Sequence, residues 1–181
     1  KYLFDIEITL ENVTGTDLAT SYSIISANGI YPEFDSYSGL ASVAGLDVGH
    51  EKIKLVRTDT KDFPYKNESV GISWAGAVNK YFASILKFSS NDGISTIVSE
   101  SFENSDPFYK NDFIVSIQTN RIEIPPQGVR RHNWFFFLGP KKEDVLRQCE
   151  GLSVLLDYGW TTVICKVLVK ILNTFYSLIP N

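Results

Sequence analysis

At 181 residues, 44% hydrophobic and 21% charged, the chain has the material for one globular domain with a sizeable core, with or without an appendage. Its net charge of −4, with no basic run interleaved with aromatics, leaves no basic face to displace counterions from phosphate, so nucleic acid is not expected as a partner. An aromatic content of 13% (12 Phe, 9 Tyr and 3 Trp) favours strands. Methionine is absent and the first residues, KYLFDIEI, read as the middle of a strand run with no signal peptide, so a piece of a larger protein is expected.

Residues 2–12 (YLFDIEITLEN) alternate, placing Leu3 or Phe4, Ile6, Ile8 and Leu10 inward and Asp5, Glu7, Thr9 and Glu11 outward, as a half-buried strand does. Residues 13–17 are a turn, and 19–27 a second strand ending at Asn28-Gly29, together a hairpin or two neighbouring strands. Residues 31–48 read as a loop, broken by Pro32, Gly39 and Gly45; 52–57 as a short strand; 59–69 as an exposed connection. Residues 70–88 fit either a helix or two buried strands joined at Asn79-Lys80. Strands follow at 94–102, 112–119, 121–124 and 131–138, the third stopped by Pro125-Pro126 and the last by Gly139-Pro140. Residues 141–149 begin a helical tail. Strands first and helices last, without βαβ alternation, mean a sandwich or barrel with a helical cap.

Chemistry is sparse. His50 and His132 are the imidazoles, and neither has a metal-ligand spacing to Cys149 or Cys165. No glycine loop opens a helix after a strand, and no serine sits in a nucleophile elbow. The acidic pairs Asp59/Asp62 and Glu143/Asp144 read as an exposed loop and a helix first turn rather than as acid and base. The sequons at Asn12 and Asn67 are short enough to arise by chance. No catalytic, cofactor-binding or metal residue is therefore expected. Whether Cys149 and Cys165 pair is left open by the sequence.

Residues 157–181 carry the sharpest signal. Trp160, Val163, Ile164, Val167, Leu168, Ile171, Leu172, Phe175, Leu178 and Ile179 recur at i, i+3, i+4, i+7, opposite a stripe of Thr162, Lys166, Lys170, Asn173 and Ser177. Two lysines near the middle cost about 2.5–3.5 kcal/mol each at a bilayer centre, which argues against spanning. Lying in the interface avoids that cost. The expected membrane-interface residues are Trp160, Ile164, Lys166, Leu168, Lys170, Ile171, Phe175 and Tyr176. The alternative is a helix packed on the domain's own sheet.

The residues Leu138-Gly139-Pro140-Lys141, then Leu156-Asp157-Tyr158-Gly159-Trp160, together with Trp74 through Ala83 and the opening KYLFDIEITLENVTG, resemble the large periplasmic domain of the bacterial YidC-type membrane protein insertase family. The resemblance runs end to end, is strong over roughly the last 44 residues, and departs from the family over 36–67. It implies a partial antiparallel β-super-sandwich, galactose mutarotase-like in fold, over 1–140. It implies two C-terminal helices over 141–181, the last amphipathic and leading to a transmembrane span absent from this chain. It also resolves 70–88 toward strands. The function implied is non-enzymatic: a domain facing the periplasm at the inner membrane that assists insertion and folding of nascent membrane proteins, alone or with the Sec translocon. A carbohydrate-binding or mutarotase-like domain on the same fold is the alternative.

Overall fold

The structure, a computed structural model, describes residues 2–28, 40–47, 52–59, 62–69, 71–89, 94–103 and 111–156, together with Leu168, Ile171, Leu172 and Thr174. Its strands are β1 (Leu3–Glu11), β2 (Leu18–Thr20), β3 (Ser23–Asn28), β4 (Ala41–Asp47), β5 (Ile53–Asp59), β6 (Tyr65–Asn67), β7 (Ile72–Val78), β8 (Phe82–Phe88), β9 (Ile94–Glu103), β10 (Asn111–Thr119), β11 (Ile122–Ile124) and β12 (Val129–Pro140). One turn of helix, α1 (Glu143–Leu146), and a 3-10 turn at Ser153–Leu155 follow.

Among the described residues, ten strands form one antiparallel hydrogen-bonded sheet that folds over itself. One layer runs β1-β12-β8-β7-β4-β5, the other β3-β10-β9-β6, and they meet through the single β7–β9 pair Ile72↔Ile94. β3 and β10 lie across β7 and β8, closing a sandwich. Its interior is Leu86, Ile97, Phe113, Val115, Ile117 and Trp134, together with Ala27, Ala44, Ala75 and Ala77. Each large side chain buried there contributes about 1.5–3 kcal/mol. Two buried serine bonds stitch the layers: Ser84 Oγ donates to Ser26 O at 2.8 Å, and Ser99 Oγ to Ser42 Oγ at 2.7 Å.

The mainly antiparallel β fold is as expected, and residues 70–88 are two strands, with Asn79 Oδ1 accepting from Tyr81 N and Phe82 N at the turn. Several local expectations are corrected. Residues 19–27 are not one strand: the chain breaks at Ser21-Tyr22, where Tyr22 turns inward to the His132 ring. β2 and β3 consequently join different sheets, with β2 pairing β11 and β3 pairing β10. β1 pairs with β12 rather than with its sequence neighbour. Buried Asn12 directs that departure, its Nδ2 donating to Thr16 O, Ile124 O and Pro125 O.

Residues 41–47, read as loop, form the buried strand β4. Its Gly45 faces the Trp74 ring, where a Cβ would lie 2.1 Å from Cε2, so the glycine is a packing requirement rather than a breaker. The connection over 59–69 contains β6, with Asn67 buried. β1 is also less buried than its alternation suggests: Phe4 is 51% and Ile6 37% exposed, while Ile8 and Leu10 are half-buried.

Candidate functional site

Beyond β12 the chain doubles back over the outer face of the first layer. The reversal is held against the β7–β8 turn: Lys141 N donates to Tyr81 O at 2.7 Å and Lys141 Nζ to Asn79 O at 3.1 Å. Gly139-Pro140, read as the stop after residue 138, instead completes β12 and pairs with Ala83 and Phe82, so the two segments singled out in the sequence lie side by side. From there Leu146, Cys149, Leu152 and Leu155 descend in successive three-residue turns. The N–H groups of Cys149, Leu152 and Leu155 bond the carbonyls three residues earlier, at 3.1, 3.1 and 3.0 Å. Side chains three apart in such turns eclipse one another, which lines all four up on one side. That side is buried against Trp74, Val78, Ala83, Ile85 and Phe137.

Trp74 is the anchor of this outer core. It is fully buried, covering Gly45 of β4, and Gly151 of the descending segment comes within 3.4 Å of its Nε1 at the Cβ position. Gly151 has φ +81°, a conformation that side-chain-bearing residues rarely adopt. Lys87 fastens the lower edge, its Nζ donating to Glu150 O at 3.2 Å and meeting Glu150 Oε2 at 3.1 Å. Burial pushes the Cys149 thiol above its ordinary value, against the pull of Lys87. Cys149 is a free thiol. Beside it lies an apolar cavity of about 250 Å³, walled by Leu3, Ile85, Phe135, Phe137 and Leu152.

Of the expected interface residues, Leu168 and Ile171 are helical and 52% and 45% exposed, and Leu172 beside them is 64% exposed. Trp160, Ile164, Lys166, Lys170, Phe175 and Tyr176 lie outside the described residues, as does His50. Among the described residues no helix is long and apolar enough to cross a membrane.

The other chemical candidates are structural. His132 is fully buried; Trp134 Nε1 donates to the Tyr22 hydroxyl at 2.9 Å, and that hydroxyl shares a second hydrogen bond of 2.7 Å with His132 Nδ1. Asp59 lies 3.4 Å from Arg57, and Glu143 at the start of α1 pairs with Arg147 just past its end. Asn12 and Asn67 are both buried, each side chain bonding the backbone two residues on. Sequence reasoning missed the descending clamp and the Trp74 seat. The period of three at 146, 149, 152 and 155 was the available signal for the first.

The comparisons with known proteins agree with this architecture. The family model of the YidC periplasmic domain matches residues 1–171. The chain is 31% identical to a membrane protein insertase YidC of Pelobacter propionicus over 132 residues, covering 72% of this chain and 22% of that protein. It is 24% identical to the namesake of Geotalea daltonii (99% of this chain, 33% of that protein). With that of Rhizobium meliloti it shares 23% identity over 100% of this chain and 31% of that protein. The crystal structure of the Slr1438 protein from Synechocystis sp. PCC 6803 superposes with TM-score 0.50 at 10% identity, over 76% of this chain and 51% of that one, a likeness of fold alone. A β-sandwich with a C-terminal clamp on its outer face is the class of module defined here. The chain belongs to the YidC periplasmic domain family, and it spans 22–33% of the length of these curated relatives.

Proposed function

We propose that this chain is part of the periplasmic domain of a membrane protein insertase at the bacterial inner membrane, and that its share of the work is positioning. The helix over 160–179 lies on the membrane surface with Leu168, Ile171 and Leu172 toward the acyl chains and Lys166 and Lys170 among headgroups. The clamp over 141–156 ties that helix to the sandwich. The intact protein then assists insertion and folding of nascent membrane proteins, alone or beside the Sec translocon, without bond-making chemistry in this domain.

The observation that carries the reading is the exposure of Leu168, Ile171 and Leu172, an i, i+3, i+4 apolar set on a helix. A helix packed on its own sheet would bury such a set; a helix at an interface keeps it outward and sinks it about 5–10 Å into the headgroup–acyl boundary. Liposome flotation tests this. The chain is expected to float with vesicles containing anionic lipid, and a version lacking residues 160–181 to stay at the bottom. Equal flotation of both would refute the interfacial helix.

A further inference from the structure

We infer that the clamp is an autoinhibitory strap: the trough it fills on the outer face is a binding site for an apolar polypeptide segment in trans, and the clamp is that site's own weak occupant. This role is separate from the positioning of the membrane helix and is tested in detergent solution, without vesicles, so either can fail alone. The floor of the trough centres on Trp74, Ile85 and Phe137, and the clamp inserts Leu146, Cys149, Leu152 and Leu155 into it. The helical turn that starts the clamp is four residues long, too short to persist unaided, so the segment keeps its shape through what it covers.

The fit is incomplete in two places. Trp74 is fully buried, and its Nε1–H meets no acceptor among the described residues. Gly45 and Gly151 close on that edge of the indole, with Cβ positions 2.3 and 3.4 Å from Nε1, so the group able to reach it is a main-chain carbonyl. The nearby Glu150 carbonyl is taken by Lys87 Nζ at 3.2 Å. A buried donor left this way keeps the full cost of its desolvation. The second defect is at Cys149, the smallest of the four inserted side chains, which stands in the wall of the apolar cavity of about 250 Å³. A void of that size forfeits the contacts that a longer side chain would make with Ile85, Phe135 and Phe137.

Weak fit is what self-occupancy requires. Its tether gives the clamp an effective concentration on the order of millimolar. A well-matched clamp so tethered would shut the trough to any rival. One that lacks a hydrogen bond and leaves a cavity yields to a free segment that supplies both. The same defects specify that segment: large apolar residues three apart, leucine or phenylalanine where the clamp has Cys149, and a carbonyl for the indole. An acyl chain would fill the cavity but offers the indole no acceptor. The attachment of Lys141 to Tyr81 O and Asn79 O stays in place and serves as the hinge.

The test uses the full-length protein and, as probe, a synthetic peptide of residues 143–156 carrying photoreactive leucine in place of Cys149. The probe is expected to crosslink to Ile85, Phe135 or Phe137, located by mass spectrometry. It should also speed alkylation of the protein's own Cys149 by about tenfold or more as the clamp lifts. In the Cys149→Leu protein the clamp fills the cavity itself, and crosslinking should fall about tenfold. Lys87→Met removes both bonds to Glu150 and should raise crosslinking about threefold. Absent or misplaced crosslinks, an unchanged Cys149 rate, equal labelling of the Cys149→Leu protein, or a fall in both variants would each overturn the inference.

Discussion

The two faces of the β12-β8-β7-β4 layer are closed in different ways. The inner face is covered by other strands of the same folded sheet, whose pairing is secured by a backbone ladder and by buried serine cross-bonds. The outer face is covered by a segment with little regular structure of its own, one helical turn and a run of three-residue turns. Such a segment gains its stability from what it covers. The difference assigns the roles: the inner core makes the sandwich, while the outer core holds the chain that leads to the C-terminal helix.

The largest expected effect comes from removing the outer anchor. Trp74→Ala should cost about 3–5 kcal/mol in urea unfolding. Native-state exchange should show residues 143–156 loosening before the strands. Equal loosening of both would erase the distinction between the faces. Leu152→Ala sharpens it: a loss of about 2–5 kcal/mol is expected, carried by the clamp, with the environment of Trp134 unchanged by near-ultraviolet circular dichroism.

On the inner side, Tyr22→Phe deprives the Trp134 N–H and His132 Nδ1 of the hydroxyl they share. The expected cost is about 1–3 kcal/mol with the clamp untouched. The smallest effect is chemical. Because burial raises the Cys149 thiol, its thiolate is scarce near neutral pH, and alkylation in the folded protein should be slow and rise steeply as the medium becomes alkaline. By linkage, the stability from keeping this thiol neutral is intact below the ordinary thiol value and is lost as pH climbs through the raised one. Leu152→Ala should speed alkylation at neutral pH; an unchanged rate would mean that the clamp does not shield the thiol.

Much of the sheet was legible because alternation and turn chemistry act locally. β1, β9 and β10 stand near where the pattern of residues places them, and Asn79-Lys80 is the turn it looks like. What misled were residues serving distant partners. Gly45 reads as a breaker until Trp74 is set against it, and Tyr22 reads as strand until His132 and Trp134 claim its hydroxyl. Strand partners were illegible for the same reason: Asn12 bonds across more than a hundred residues to Ile124 and Pro125, and so sends β1 to β12. Helical periodicity of the kind read over 160–179 is a local signal, whereas the clamp before it follows a period of three.

The central claim is that the face bearing Leu168 and Ile171 meets lipid while the sandwich does not. Fluorophores placed one at a time at Leu168, Ile171, Ile6 and Ile25, in a background lacking Cys149 and Cys165, can be read against quenchers carried in the acyl chains of anionic vesicles. Strong quenching at 168 and 171, with none at 6 or 25, is the expected result. Absence of quenching at 168 and 171, or equal quenching at all four positions, would contradict it.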